Sequence, residues 1–241
     1  MRYAFLADIH GNLDALKSVV GAIESDGGID KICCVGDLVG YGAQPGECIA
    51  LIRDLGWPAV AGNHDYAAIG NVDLSYFNPL AREAIEWTSS VLTEVDKEFL
   101  GNLPLTWEED GLVTVHGTLN EPENFGYILS ELDARMMFRL LNRDFCFTGH
   151  SHYPCVFVEG EDIAFSREPE VKIEVSERAI VNVGGVGQPR DGDPRACWVT
   201  YDEDSRTVTT HRVEYDIEAA ARRIIDAGLP EPLAERLFMG T

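Results

Sequence analysis

The first half of the chain repeats one pattern, a short apolar run of strand length that ends in a group of polar residues. The runs at 3–7, 32–35 and 58–61 end, in that order, in Asp8-Ile9-His10, in Gly36-Asp37 and in Gly62-Asn63-His64-Asp65. Two stretches with apolar residues at helical spacing, 13–24 and 47–55, separate these runs. Strands that alternate with helices favour a parallel sheet with right-handed crossovers, and ligands bind beyond the carboxyl ends of such strands.

Two later runs follow the same rule. Residues 112–115 end in His116-Gly117, and residues 145–148 end in Gly149-His150-Ser151-His152. Five of the six histidines therefore lie at or just past predicted strand ends, whereas His211 lies within a strand. A single histidine there is more often an ordinary polar residue, but five at equivalent positions are hard to explain as turn chemistry.

The remaining segments complete the expected architecture. Residues 66–102 are predicted to be mostly helical and to cover one side of the strand ends. The second half contains short β-prone runs separated by turns, which favours a mostly antiparallel sheet. These runs are 156–158, 171–175, 180–183, 198–201 and 207–213, and helical patterns follow at 216–227 and 231–238. The simplest arrangement is one domain, 1–241, with two sheets packed face to face and helices outside.

The charge balance limits the classes of function. The formal charge is −22, from 19 basic and 41 acidic residues. Nucleic-acid binding needs clustered Lys and Arg, so this balance argues against a nuclease. It also repels phosphates at long range, so a phosphate-handling site here needs local positive charge, which bound metal ions supply.

Features of the sequence also predict the compartment. Six cysteines occur without CxxC spacing, mostly in apolar runs, and we interpret them as reduced core thiols. No stretch approaches the ~20 apolar residues of a membrane span. The sequence opens directly on a strand rather than on a basic, apolar leader. These features predict a cytoplasmic protein.

Two pairs of polar residues have the spacing of metal ligands. Asp8 and His10 are two residues apart, as are His150 and His152. In an extended strand end, residues i and i+2 point to the same side. Each pair is therefore expected to hold one ion together.

The whole set of candidate ligands mixes carboxylate, amide and imidazole groups. It consists of Asp8, His10, Asp37, Asn63, His116, His150 and His152. Such a mixture suits Mn, Fe, Zn or related divalent ions rather than Ca. Seven ligands are too many for one tetrahedral zinc, but they suit two ions ~3.5–4 Å apart that share a bridge. Asp37 can serve as that bridge.

His64 and Asp65 add proton chemistry to the same turn. His64 offers a proton near neutral pH, and Asp65 can accept a hydrogen bond from a histidine ring nitrogen and hold its tautomer. Gly, Asn and Asp are all turn formers, so this tetrapeptide alone is more often just a turn.

Taken in order, the five polar groups resemble the signature of the calcineurin-like metallophosphoesterase superfamily. Residues 37–42 and 187–195 resemble its small prokaryotic branch. The resemblance implies a four-layer α-β-β-α sandwich with two central mixed sheets. It assigns Asp8, His10 and His152 to one metal, Asn63, His116 and His150 to the other, and Asp37 to both. It places His64 beside the substrate and makes Asp65 the orienting partner of His64.

The function implied by the resemblance is dinuclear phosphate ester hydrolysis. Two divalent ions (Mn, Fe, Zn or Ni) would activate a bridging hydroxide that attacks a phosphodiester or phosphomonoester, with His64 assisting the leaving group. The expected partner is a small phosphate ester, with a nucleotide as one candidate and a phosphoprotein as another. The alternative is a non-catalytic scaffold on the same fold, as in a retromer subunit that has lost catalytic residues. Here every ligand and His64 are present, which favours the enzyme.

Other residues near the strand ends are open to two interpretations. Arg190 is the best candidate for a protein cation that binds the phosphate, but Arg190 or Arg195 could instead pair with Asp191 or Asp193. Asn12 could be a helix N-cap.

Three features of the surrounding loops also bear on substrate recognition. Tyr41 could be a packed loop aromatic rather than a site residue. Residues 118–122 and 182–185 depart from the pattern of the small branch, which leaves substrate recognition undefined.

Overall fold

The structure is a computed structural model that describes residues 1–241. Its strands are β1 (Arg2–Leu6), β2 (Lys31–Cys34), β3 (Thr106–Glu109), β4 (Leu112–Val115), β5 (Phe145–Thr148), β6 (Cys155–Glu159), β7 (Ile163–Ser166), β8 (Glu170–Lys172), β9 (Arg178–Asn182), β10 (Ala196–Asp202) and β11 (Thr207–Val213). Its α-helices are α1 (Leu13–Asp26), α2 (Pro45–Leu55), α3 (Asn63–Ala68), α4 (Pro79–Val91), α5 (Glu94–Gly101), α6 (Glu131–Phe138), α7 (Ile217–Asp226) and α8 (Glu231–Met239). Two short 3-10 helices lie at Leu74–Tyr76 and Pro122–Asn124.

The strands form two mixed sheets. The first has the order β2-β1-β10-β11-β8, and only β1 and β2 pair in parallel. The second has the order β3-β4-β5-β9-β6-β7, with β4, β5 and β9 parallel at its centre. This arrangement confirms the α/β fold with two mixed sheets that the resemblance implied.

Aromatic side chains pack between the two sheets. The rings of Phe5 in β1 and Phe147 in β5 stack with 3.7 Å between centroids, and Phe145 lies 4.2 Å from Tyr201 of β10. All four are buried, and burial of one large apolar side chain is worth about 1.5–3 kcal/mol. This packing holds the carboxyl ends of β1 and β5 at the same edge of the molecule.

Helices cover the outer faces of the sheets. Helix α1 begins after Asn12, whose side chain accepts a hydrogen bond from the N–H of Ala15 at 3.1 Å, so the N-cap interpretation of Asn12 is confirmed. Its apolar face, including Leu16, packs with Leu6 of β1. On the second sheet, Phe138 of α6 belongs to the same buried cluster as strand residues of β4–β7 and β9.

Several expectations about elements were wrong. Residues 58–61 form no strand and make only a bridge between Cys34 and Ala59. The polar or short edge strands β3 and β7 were missed, because they lack a continuous buried apolar run. The strands of the second half pair with one another in antiparallel fashion as expected, but they are divided between the two sheets, where β9 also joins β5 in parallel and β10 joins β1.

The cysteines and the helices agree with the expectations from composition. All six cysteines are buried and free. Burial raises the pKa of the Cys33 thiol to about 12, which makes it unreactive. No helix combines the length and the apolar character that crossing a bilayer requires.

Candidate metal centre

The predicted ligands meet at one edge of the two sheets. Each lies within four residues past a strand end, except Asn63, which begins α3. The carboxyl and imidazole side chains among them are all buried, none more than 6% exposed. They are Asp8, His10, Asp37, His116, His150 and His152. The convergence predicted from the strand ends is therefore present in the structure.

Left-handed backbone turns aim these side chains inward. Nine residues other than glycine have positive φ, and six of them surround the centre. Those six are Asp8, His10, Asp37, Tyr41, His150 and His152. The expectation that the i, i+2 pairs lie on extended strand ends is wrong, because the chain leaves β1 and β5 before it reaches them. Such conformations cost about 1–3 kcal/mol each and cluster at functional sites.

The first group of ligand atoms lies around Asp8. His152 Nε2 is 3.3 Å from Asp8 Oδ1 and 3.1 Å from His10 Nε2. His10 Nε2 is also 3.6 Å from Asp37 Oδ2, which connects this group to a second one. These distances bring one ligand atom from each of Asp8, His10 and His152 within reach of a single cation.

The second group lies around Asp37. His116 Nε2 is 3.3 Å from Asp37 Oδ2. His150 contributes a third ligand atom within 4.8 Å of the other two. Asp37 thus takes part in contacts with both groups, in the position expected for a shared ligand.

Backbone carbonyls fix the orientation of three imidazoles. The Nδ1 atoms of His10, His116 and His152 lie 3.0, 2.7 and 2.6 Å from the carbonyl oxygens of Val39, Val35 and Gln188. A carbonyl only accepts, so these Nδ1 atoms donate, and the Nε2 atoms are left to face the carboxylates. This is the second-shell arrangement usual for metal-ligating histidines.

Unsatisfied polar atoms indicate that the centre fits a cation. Asp37 Oδ2, Asn63 Oδ1 and His116 Nε2 are buried and have no hydrogen-bond partner. A buried orphan atom costs about 1–3 kcal/mol, which a bound cation would remove. Burial also lowers the pKa of His10 and of His152 well below the usual value, which keeps them as neutral, ligating imidazoles.

His64 lies at the edge of the centre. Its Nδ1 has no partner, and burial lowers its pKa to about 4. Its ring packs edge-on against Phe77 at 5.2 Å and near Tyr41 at 4.6 Å. Gly40 must stay without a side chain, because its φ is +94° and a Cβ there would overlap the His64 ring.

The predicted hydrogen bond from the His64 ring to Asp65 is wrong. The Asp65 carboxylate instead accepts hydrogen bonds of 2.9–3.2 Å from four backbone N–H groups. The donors are Asp37, Leu38, Val39 and Gly62. Asp65 therefore anchors the loop that carries Asp37, and its oxygens are already used by the backbone.

A cavity of about 490 Å³ opens beside His64 and His150. Residues between 72 and 81 contribute to its lining, in agreement with the prediction that 66–102 covers one side of the strand ends. Arg190 is the one Lys or Arg in the lining. The Arg190 guanidinium donates to Gln188 Oε1 at 3.0 Å, and its Nε is buried without a partner.

The neighbouring carboxylates do not pair with Arg190. Asp191 pairs with Arg212, and Asp193 pairs with Arg195 at 2.6 Å. The alternative interpretation thus holds for Arg195 and fails for Arg190.

Sequence reasoning missed the aromatic residues of this cavity. Tyr76, Phe77, Phe125 and Tyr127 line it together with Tyr41. They occur as close aromatic pairs inside polar loops, a signal that was present in the sequence but that no spacing rule singled out.

Known proteins share this sequence pattern and this fold. Residues 1–205 match the family model of the calcineurin-like phosphoesterase superfamily domain. An uncharacterized protein of Methanocaldococcus jannaschii is 40% identical over 242 residues, which cover 98% of this chain and 97% of that protein. The crystal structure of a metallophosphoesterase from Sphaerobacter thermophilus is 39% identical, with a TM-score of 0.88 over 100% of this chain and 99% of that one.

A more limited match involves an enzyme named for its substrate. The symmetrical bis(5'-nucleosyl)-tetraphosphatase of Sodalis glossinidius is 34% identical over 108 residues. That match covers 39% of this chain and 38% of that protein.

Proposed function

The chain belongs to the calcineurin-like phosphoesterase superfamily and is a metal-dependent phosphate ester hydrolase, and we propose that it works with two divalent cations within a single domain, 1–241. Asp8, His10 and His152 would hold one cation. Asn63, His116 and His150 would hold the other, and Asp37 would be shared by both. The observation that carries this proposal is the position of the buried Asp37 carboxylate, whose Oδ2 lies 3.6 Å from His10 Nε2 of the first group and 3.3 Å from His116 Nε2 of the second.

The identity of the donors supports the choice of metal. The two groups combine imidazole nitrogens with carboxylate and amide oxygens, which suits Mn, Fe, Zn or Ni better than Ca. When bound, such ions supply a hydroxide nucleophile near neutral pH and neutralise charge on the phosphoryl oxygens.

The protein's own side chains position the ester. Arg190 binds phosphoryl oxygens, because its guanidinium lines the cavity and no carboxylate pairs with it. In a chain with a formal charge of −22, this local cation offsets the long-range repulsion of a phosphate. His64, on the same cavity wall, assists the leaving oxygen by donating a ring N–H hydrogen bond, since its lowered pKa of about 4 keeps the ring neutral at pH 7.

The substrate that fits best is a small phosphate ester, with nucleotides as the leading class. The acidic surface disfavours nucleic acid. Relatives over part of the chain are named as bis(5'-nucleosyl)-tetraphosphatases, which supports a nucleotide. The scaffold alternative is disfavoured, because all seven candidate ligands and His64 are present and converge.

The test is hydrolysis by protein stripped of metal and reloaded with Mn. An aryl phosphodiester and an aryl phosphomonoester are assayed side by side, and metal content is measured by elemental analysis. We expect two metal ions per chain and turnover of at least one ester. One ion per chain would contradict the dinuclear centre, and metal binding without turnover of either ester would favour the scaffold.

A further inference from the structure

The lining of the cavity beside the metal centre combines polar and aromatic side chains. His64, His150 and Arg190 are polar members of this lining. Its aromatic members, which we call the ring wall, are Tyr76, Phe77, Phe125 and Tyr127. The two kinds of side chain together match a ligand that carries both a phosphate and a flat ring.

The ring wall begins directly at the metal centre. Tyr127 stacks on the imidazole of His150 with 3.8 Å between centroids and 19° between planes. Phe77 meets the ring of His64 edge-on at 5.2 Å. Nothing therefore separates the proposed phosphate position from the first aromatic surface, so one small molecule can contact both.

The backbone of the ring wall is held in place. Phe125 has a left-handed φ of 49°. A Cβ at Gly117 would lie 2.6 Å from the carbonyl oxygen of Gly126, so the loop of Phe125 and Tyr127 packs against the turn that follows His116. Strained conformations of this kind persist where the surroundings fix them, as at binding sites.

The ring wall leaves aromatic surface open to solvent. Tyr76 is 86% exposed and Tyr127 is 49% exposed, although both line a concave site. Exposed rings beside a polar site are typical of stacking platforms for bases.

We propose that the ring wall is a base-binding subsite, and that the substrate is a nucleoside phosphate ester whose base stacks there while its phosphate lies at the metal centre. This proposal rests on the proposed function. Asn78, Glu123 and Asn124 line the same cavity and offer polar groups to the heteroatoms of a base. Asn78 Oδ1 and Asn124 Nδ2 already bond to the Ala81 N–H and to Glu121, but a plain phenyl ring would form no hydrogen bond with any of the three side chains, which favours a nucleobase.

The test is equilibrium binding, which does not require turnover. AMP, ribose 5-phosphate and phenyl phosphate are titrated into the Mn-loaded protein by calorimetry, and chromatography checks for hydrolysis. A ligand that is hydrolysed is compared by its KM instead. We expect AMP to bind roughly tenfold more tightly than ribose 5-phosphate, which lacks only the base.

Substitutions at the ring wall test whether its residues cause the difference between the AMP and ribose 5-phosphate affinities. Tyr76→Ala and Tyr127→Leu are each expected to reduce the ratio of the AMP and ribose 5-phosphate affinities severalfold. The control is Phe238→Ala, which removes a ring that is 51% exposed on α8, outside the cavity. It should leave the ratio unchanged.

Three outcomes would overturn the base-binding subsite. In the first, AMP and ribose 5-phosphate bind with equal affinity. In the second, phenyl phosphate binds as tightly as AMP or more tightly. In the third, the ratio of the AMP and ribose 5-phosphate affinities is unchanged in both ring-wall variants. None of them affects the metal content or the hydrolysis of aryl esters, so the proposed function is judged separately by its own assay.

Discussion

Strands β1 and β5 each lead from a buried apolar layer into the polar centre. Phe5 and Phe147, inside the strands, stack at 3.7 Å between the sheets. Three residues further along the chain, just past the end of each strand, Asp8 and His150 meet again, and the His150 N–H donates to Asp8 Oδ2 with 3.1 Å between nitrogen and oxygen. The same pair of strands thus builds an apolar layer and a polar centre side by side.

The apolar layer and the polar centre make opposite contributions to the free energy of unfolding. The aromatic layer buries hydrocarbon in extended backbone, which stabilises the fold. At the centre, Asp8 and His150 have φ values of 55° and 67°, which cost about 1–2 kcal/mol each. Burial raises the pKa of Asp8 to about 8, so its charged form is also disfavoured. The aromatic layer stabilises a fold in which the centre is strained, and substitutions in the two regions should have separable effects.

The largest expected effect is that of Asp37→Asn. It keeps the shape of the side chain and the acceptor for the His64 N–H, which lies 2.9 Å from Asp37 Oδ1, but it removes the charge shared by the two ligand groups. We expect turnover to fall by about ten-thousandfold or more. Metal content, measured by elemental analysis, should fall below two ions per chain.

The same variant tests the separation of the two regions. In chelator, Asp37→Asn should unfold at a somewhat lower temperature than the wild-type protein, because His116 and His64 lower the pKa of the Asp37 carboxyl and so stabilise its charged form in the fold. A large loss of stability without loss of metal would show that Asp37 is a structural residue.

The next effect is that of His64→Ala. The imidazole lies on the cavity wall and is not assigned to either cation, so the variant should keep two ions per chain. Turnover should fall by about 10²–10³-fold, as for loss of one hydrogen-bond donor to developing negative charge. Hydrolysis at the wild-type rate would exclude His64 from the reaction.

Phe147→Ala tests the apolar layer. The ring is fully buried between the sheets, and its removal should lower the free energy of unfolding by about 3–5 kcal/mol. Denaturant unfolding measures the loss. The folded fraction should keep its metal content and its turnover per molecule. A fall in metal content at full folding would show that the two regions are coupled.

The sequence predicted the position of the centre because its ligands follow apolar strand runs. Asp8 comes after β1 and His116 after β4, so topology alone brings them to one edge. The third run, 58–61, was expected to be a strand because it is apolar, but only Ala59 pairs, with Cys34. Its end still delivers Asn63 to the centre, since α3 begins there.

Other features depend on contacts that spacing does not encode. The left-handed φ of His10 and His152 follows from tertiary packing, and the pattern suggested extended backbone. Asp65 accepts from Leu38 and Val39, which are distant in sequence, so the neighbouring His64 was the wrong partner. The local sequence pattern identified the residue types of the centre but indicated the wrong hydrogen-bond partner for Asp65.

The smallest expected effect compares two arginines of one loop, Arg190 and Arg195. Arg190 lines the cavity without a carboxylate partner, whereas exposed Arg195 pairs with Asp193 at 2.6 Å. Arg190→Gln should raise KM about tenfold, because one charged hydrogen bond to phosphate is worth about 1.5–3 kcal/mol. Arg195→Gln should change KM less than about twofold, and stability by at most about 1 kcal/mol, as for surface ion pairs. Steady-state kinetics of both variants on one ester measure the two KM values. Equal KM values would mean that Arg190 does not bind the phosphate, and that the cations alone offset the charge of the substrate.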